Sequence, residues 1–135
     1  MSRRHCLTER VETDFGTLFA QIDIDDSGKV IGLNIAAHYR QEDSAVNKLL
    51  LGLSQTLRDM LDCMNGSVLN VRCLDATIYT PGVGTVFAKI QSKKNSGKPF
   101  NIRIETHKPK EKTPINEMLK GLTKSFRRLL RDYKK

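Results

Sequence analysis

A short stretch that decides the fold occurs twice in the chain. Residues 16–22 read GTLFAQI and residues 84–90 read GTVFAKI. A second match follows downstream, because Ser-Gly-Lys stands at both residues 27–29 and residues 96–98. Self-similarity at a nearly constant spacing indicates that one structural unit has been duplicated.

The duplication divides the chain into two repeats of similar length. We expect repeat one to cover residues 5–65 and repeat two to cover residues 72–134. A chain of 135 residues is long enough to bury one sizeable core. The two repeats are therefore expected to form a single domain over residues 1–135.

Each repeat is predicted to contain three strands followed by a helix. In repeat one, apolar and polar residues alternate along residues 16–24, which is typical of a strand with one buried face. Asp-Asp-Ser-Gly at residues 25–28 favours a hairpin turn, and Lys-Asn-Ser-Gly at residues 94–97 is its counterpart. The return strands are Val30–Ala37 and Phe100–Thr106.

A helix with one apolar stripe closes each repeat. Ser44 and Thr113 are natural N-cap residues, and the apolar residues that follow are spaced by three and four positions. A helix of this kind needs a sheet to cover its apolar side. We therefore predict an α+β fold built from a duplicated βββα unit, with about six antiparallel strands, two helices packed on one side, and a pseudo-two-fold relation.

The position of the apolar stripe on each helix predicts which of its residues are buried. Leu53 and Leu122 are expected to be equivalent buried positions, whereas Leu51 is expected at the surface because its counterpart is Lys120. Gly52 and Gly121 also stand at equivalent positions within the helices. A mid-helix glycine is unfavourable, so the recurrence suggests that the helices cross there or that a strand backbone approaches. The alternative is that both glycines are a neutral relic of the duplication.

Charge is distributed unevenly along the chain. Residues 1–75 carry a net charge of −3 and residues 76–135 one of +11, which together give the +8 of the whole chain. Solubility alone is one explanation of the basic half. Contact with a polyanion is the other, and it is the more specific of the two.

The basic residues of repeat two are predicted to contact the phosphates of DNA or RNA, without sequence selection. Phe87 is expected in the core because it matches Phe19, which argues against base stacking on a single strand. Reversing the charge of Arg128 and Arg131 is expected to leave the fold intact. The candidate nucleic-acid-binding residues are Lys89, Lys93, Lys94, Lys98, Lys120, Lys124, Arg127, Arg128 and Arg131.

Catalytic and metal-binding patterns find little support in the sequence. The acidic turn lacks the Glu that closes a calcium loop, because Asn34 stands at the twelfth position. His38, His107, Cys6 and Cys73 would make an acceptable zinc set, but nothing in the sequence forces them to converge. Since no catalytic motif is present either, we expect no enzyme activity, no metal and no cofactor.

The cysteine usage and the apolar runs bear on location. The three cysteines are odd in number and show no Cys-x-x-Cys spacing, which argues against a disulfide scaffold. The N-terminal basic residues are not followed by an apolar stretch, and no apolar run approaches the length of a membrane helix. We expect a cytoplasmic protein that does not enter a membrane.

The strand, hairpin and helix pattern resembles the TSCPD-domain family. That domain occurs near the C-terminus of adenosylcobalamin-dependent ribonucleotide reductases and in small stand-alone proteins. The resemblance covers both repeats, through residues 16–29 and residues 84–100, but the chain lacks the cysteine motif of the family. Any metal-binding role of those cysteines is therefore not implied for this chain.

Two functional hypotheses follow from these observations. The first is a non-enzymatic protein whose second repeat binds nucleic acid phosphates. The second, which the resemblance implies, is a protein-interaction adaptor or regulator of an acidic, possibly reductase-like, partner. In that case the acidic and basic repeats of different copies are also able to associate into a homo-oligomer.

Overall fold

Two copies of βββα follow one another along the chain. The computed structural model describes residues 5–37, 45–66, 73–92 and 99–132. The α+β fold and the internal duplication predicted from the sequence are confirmed. The elements in chain order are β1 (His5–Thr13), β2 (Gly16–Ile24), β3 (Val30–Ala37), α1 (Ala45–Gly66), β4 (Cys73–Thr80), β5 (Gly84–Ser92), β6 (Pro99–Thr106) and α2 (Pro114–Asp132).

The six strands form two antiparallel sheets of three strands each. The first sheet has the order β1-β2-β3 and the second has the order β4-β5-β6. The pairing registers correspond, because Val11 lies opposite Leu18 in the first sheet and Ile78 lies opposite Val86 in the second. The two sheets are therefore built alike, strand by strand, as expected of a duplicated unit.

The turn between β2 and β3 is held by the side chain of Asp25. Its Oδ1 atom accepts hydrogen bonds from the backbone amides of Ser27 and Lys29, both at 3.0 Å, and from the Ser27 hydroxyl at 2.6 Å. The Ser27 hydroxyl and then the Lys29 amide hold the pKa of Asp25 below its usual value. Gly28 adopts φ of +85°, which residues with a Cβ rarely do. The corresponding turn of repeat two, residues 94–97, lies outside the described residues.

Each helix packs on strands from both repeats. Helix α1 lies mainly against β3 of its own repeat and β4 of the other, whereas α2 lies mainly against β6 of its own repeat and β1 of the other. Each helix therefore joins the two sheets. The buried apolar side chains accordingly form one cluster to which both repeats contribute.

The mid-helix glycines lie where the helices meet the opposite repeat. A Cβ atom on Gly121 would come within 2.9 Å of Val11 Cγ1, and one on Gly52 would lie 3.7 Å from Ile78 Cγ2. The expectation that the helices cross at these glycines, or meet a strand backbone there, is wrong. The neighbour in both cases is a side chain on the first strand of the other repeat.

The burial of the helices follows the predicted phase. Leu53 and Leu122 are fully buried, whereas Leu51 is 53% exposed. Phe126 on the apolar stripe of α2 is also fully buried. The spacing of apolar residues thus identified the inner face of each helix correctly.

Phe87 does not lie in the core, which corrects the expectation from the sequence. Its side chain is 41% exposed, whereas its neighbours Val86 and Ala88 are buried. Because side chains alternate along a strand, Phe87 must lie on the outer face of the second sheet when Val86 and Ala88 face inward. Phe19 occupies the same outer position in the first sheet, where it is half-buried. Its match to Phe19 was therefore no sign of burial.

Candidate nucleic-acid interface

Helix α2 carries most of the candidate basic residues, and hydrogen bonds fix its start. The Thr113 hydroxyl accepts a hydrogen bond from the backbone amide of Asn116 at 3.1 Å, as expected of an N-cap residue. The buried Asn116 amide donates to the backbone oxygens of Lys108 at 2.9 Å and Glu111 at 2.6 Å. It also accepts a hydrogen bond from the Thr106 hydroxyl at 2.6 Å. The segment between β6 and α2 is thereby tied to the helix.

Side chains of α2 also bind the outer edge of β6. The Thr123 hydroxyl accepts a hydrogen bond from the Ile104 amide at 3.1 Å and donates to the Ile104 carbonyl at 3.3 Å. The Arg127 Nε atom donates to the Ile102 carbonyl at 3.0 Å. These groups satisfy backbone atoms that an edge strand otherwise leaves unpaired. They set the helix and the strand at a fixed spacing along the groove between them.

The groove between β6 and α2 has a volume of about 390 Å³ and a mostly basic lining. Glu105 is the only acidic residue among its lining residues. In the described parts of the chain, no carboxylate lies within salt-bridge distance of Arg103, Lys110 or Lys124. Clustered cations repel one another, and an anionic ligand would relieve that repulsion. The basic residues of the groove are Arg103, Lys110, Lys120, Lys124 and Arg127.

Lys120 is the one lysine of this groove with an acidic neighbour on its own helix. Its Nζ atom lies 4.0 Å from Glu117 Oε1, and both side chains are about half exposed. Exposed pairs of this kind contribute little to stability, because water and salt screen the charges. Lys120 can therefore leave Glu117 and turn toward a ligand at a small cost in free energy.

Arg128 lies on the opposite flank of α2, where it contacts repeat one. Its guanidinium pairs with Glu9 of β1, and the Ser125 hydroxyl donates to the same carboxylate at 3.1 Å. Reversing the charge of Arg128 would place a carboxylate beside Glu9, so the expectation that the fold tolerates this change is revised. Arg131 is exposed and lies 3.5 Å from Asp132. Within the described residues, the ion pair of Arg131 is with this neighbour on its own helix and not with repeat one.

Lys89 lies apart from α2, on the outer face of the second sheet. Its Nζ atom is 3.8 Å from Asp75 Oδ1, and in the strand register it stands opposite Arg103. Three further candidate residues of the hairpin lie outside the described residues, namely Lys93, Lys94 and Lys98. The candidate residues therefore do not form one patch: Lys120, Lys124 and Arg127 share the groove, Lys89 lies on the sheet, and Arg128 lies on the far flank.

The predicted set omitted two basic residues of the groove and two exposed aromatic residues. Arg103 and Lys110 line the groove, and the alternation of Ile102 and Ile104 in β6 was the signal that Arg103 faces outward. Tyr79 is 71% exposed, and like Phe87 it lies on the outer face of the second sheet. No pattern in the sequence distinguished this face from one covered by another element.

The possible metal ligands are only partly described. Cys6 and Cys73 are exposed free thiols and His107 is exposed, whereas His38 lies outside the described residues. Over residues 5–37, 45–66, 73–92 and 99–132, the structure holds no group of three or more potential metal ligands. Neither described helix is long and apolar enough to cross a membrane.

Comparisons with protein-family models, with curated proteins and with solved structures found no match to the chain. The resemblance to the TSCPD-domain family thus rests on the sequence pattern alone, chiefly on the strand and hairpin residues 16–29 and 84–100. It stays a prediction.

Proposed function

We propose that the protein binds nucleic acid through phosphate contacts from repeat two, without catalysing a reaction and without a cofactor. The basic groove between β6 and α2 carries the proposal, because Arg103, Lys110 and Lys124 lie together there without acidic partners among the described residues. Phosphate contacts supply affinity without reading sequence. The ligand is therefore DNA or RNA of any sequence.

The duplication itself supports a function confined to repeat two. At the positions of Lys120 and Lys124 in α2, helix α1 carries Leu51 and Gln55. The same scaffold is thus present twice, and the basic face is present once. A face that served only to keep a helix in water would need no such difference.

The test compares two double variants that remove the same number of charges. Lys120→Gln with Lys124→Gln removes two lysines of the groove, and Lys48→Gln with Arg58→Gln removes two exposed cations of α1. Fluorescence anisotropy with labelled duplex and single-stranded DNA and RNA measures the dissociation constants. We expect the α2 variant to bind about tenfold more weakly and to flatten the salt slope by about one to two units.

The α1 variant serves as the control and is expected to bind within about twofold of the parent protein, because its cations lie outside the groove. Equal losses for both double variants would mean that net charge alone drives binding. That result would overturn the assignment to the groove.

A cytoplasmic location is part of the proposal. Cys6, Cys63 and Cys73 are exposed free thiols. Exposed thiols persist in a reducing compartment and tend to pair or oxidise elsewhere. Full reactivity of all three thiols in protein labelled inside intact cells is the expected result.

A protein-interaction adaptor, as in the proposed TSCPD-domain relationship, is the second candidate function. Leu51 favours it, because this large apolar side chain is 53% exposed on α1. Its partner is either an acidic protein or a second copy of the chain. Leu51→Lys copies the residue of α2 at the equivalent position. If Leu51 lies in a homo-oligomer contact, light scattering after gel filtration will report a larger mass for the parent protein than for this variant.

A further inference from the structure

The outer face of the second sheet carries two exposed aromatic side chains close together. Tyr79 is 71% exposed and Phe87 is 41% exposed. Tyr79 lies opposite Thr85, and Phe87 lies opposite Thr77, so the two aromatic residues are diagonal neighbours on adjacent strands. Diagonal neighbours in a sheet are about 7–8 Å apart, which long side chains can span. Two rings on one open face offer a surface for flat, unsaturated ligands.

Two cations flank these aromatic residues. Lys89 on β5 stands directly opposite Arg103 on β6, and both side chains lie on the outer face. Like charges directly opposite each other destabilise a sheet, so this pairing suits an anionic ligand. Phe87, Lys89 and Arg103 line one concavity of about 290 Å³. Two carboxylates line it too: Asp75 pairs with Lys89 at 3.8 Å, and Glu105 on β6 stands opposite Phe87.

The sheet face and the basic groove are continuous. Arg103 lines the concavity on the sheet and also the groove between β6 and α2. A ligand that reaches from one to the other needs flat groups for Tyr79 and Phe87 and phosphates for Lys120 and Lys124. A single strand of nucleic acid has both along its whole length.

We propose that this face stacks the bases of single-stranded nucleic acid on Phe87 and Tyr79 while the strand's phosphates lie along Arg103 and the α2 groove. The inference rests on the proposed function and narrows its substrate class to single strands. Bases in a duplex are stacked on each other, so their faces are not available to these rings. The proposal does not specify whether the strand is DNA or RNA, and separate DNA and RNA arms of the experiment decide between them.

The first sheet supports this assignment by contrast. Phe19 stands at the position of Phe87, but Glu12 replaces Tyr79 and Gln21 replaces Lys89. Hydrogen bonds from the Thr17 hydroxyl and then from a neighbouring arginine hold the pKa of Glu12 below its usual value. An acidic side chain paired with Arg10 thus occupies the position where the second sheet carries an aromatic residue. The first outer face thus carries Phe19 beside the paired Arg10 and Glu12, whereas the second carries two aromatic residues together with Lys89 and Arg103.

Phe87→Trp gives a direct readout of stacking, because the chain contains no tryptophan. Unlabelled oligo(dT), oligo(U) and a duplex of the same length are titrated into this variant. We expect tryptophan fluorescence to be quenched by at least one single strand and to change little with the duplex. Binding of a single strand without any change in tryptophan fluorescence would overturn the proposal.

A second measurement compares equivalent phenylalanines on the two sheets. Phe87→Ala is expected to weaken single-strand binding by about tenfold or more, whereas Phe19→Ala is expected to stay within about twofold of the parent protein. Phe87→Tyr keeps a ring and is expected to retain affinity. Because Phe87 is exposed, none of its variants should disturb the fold, and circular dichroism checks this. Equal affinity of Phe87→Ala and the parent protein would overturn the proposal.

The outcomes separate this inference from the function on which it rests. If Phe87→Ala binds like the parent protein but Lys120→Gln with Lys124→Gln binds weakly, the stacking face is rejected and phosphate binding by the groove stands. If neither single strands nor duplexes bind the parent protein, both proposals fail.

Discussion

At the scale of single residues, the two helix glycines form a matched pair for a stability test. Alanine is a better helix former than glycine by about 1 kcal/mol. Gly52→Ala should raise the free energy of unfolding by much of this amount, because its methyl group would meet Ile78 Cγ2 at an ordinary contact distance of 3.7 Å. Gly121→Ala should gain less or lose stability, because its methyl group would come within 2.9 Å of Val11 Cγ1. Urea unfolding of both variants measures the difference.

The control for this comparison is Val11→Ala, made alone and together with Gly121→Ala. Removing the valine methyl groups relieves the crowding, so Gly121→Ala should become favourable in that background. Equal effects of the two glycine substitutions in the parent protein would contradict the close approach of α2 to β1.

Single residues also mark the limit of prediction from sequence. The spacing of apolar residues placed Leu53, Leu122 and Phe126 in the core correctly. Phe87 was misplaced on another ground, its match to Phe19, although its alternation with the buried Val86 and Ala88 puts it on the opposite face. Coverage of the inner face comes from helices of both repeats, and only the assembled structure fixes it.

At the scale of elements, the turn between β2 and β3 is expected to make stability depend on pH. Its hydrogen bonds lower the pKa of Asp25 in the folded protein below the ordinary value of 3.8. A carboxylate with a lowered folded pKa stabilises the protein above its unfolded pKa, and this contribution is lost as the pH falls through the folded pKa. Asp25→Ala should therefore destabilise the protein at neutral pH and show a smaller difference in acid.

Urea unfolding of Asp25→Ala and of the parent protein, measured from neutral pH down to below pH 3.8, checks the expectation. Asp62→Ala serves as the control, because Asp62 is an exposed residue of α1 outside the turn. A destabilisation by Asp25→Ala of the same size at every pH would show that the carboxylate's charge has no part in the turn.

The strands and helices were predicted well, whereas the contacts between them were not. Thr113 caps α2 as its residue type indicated. The contacts of Thr123 and Arg127 with the edge of β6 have no signature in the sequence. The pair of Arg128 with Glu9 joins residues far apart in the chain, so a charge count assigned Arg128 to a ligand surface instead.

At the scale of the whole molecule, each helix is shared between the repeats. Helix α1 packs on β3 and β4, and α2 packs on β6 and β1. The sequence could not say how six strands divide between sheets, because alternation within each strand is the same for one sheet of six and two sheets of three. The duplication identified the repeated unit. Only the structure shows that each helix packs on strands of both units.

This sharing predicts that one repeat alone is unstable. In a chain that ends at residue 66, α1 loses β4 and the sheet loses the cover that α2 gives to β1. We expect such a chain to show no cooperative unfolding transition as a monomer, since much of its apolar surface lies in water. Circular dichroism during urea unfolding, with light scattering to report mass, provides the measurement. A monomer that unfolds cooperatively would contradict a single shared domain.

The central claim is that repeat two binds nucleic acid through several phosphate contacts, and the salt dependence of binding tests it most directly. Each phosphate contact contributes about −0.7 to the slope of log K against log[salt] for a single strand. The described cations on the sheet face and in the groove, Lys89, Arg103, Lys110, Lys120, Lys124 and Arg127, then give a slope of about −4. Anisotropy titrations of the parent protein with labelled single-stranded DNA and RNA over a salt series measure it. We predict a slope near that value with at least one of the two strands. No binding at low salt, or an affinity that does not change with salt, would contradict the account.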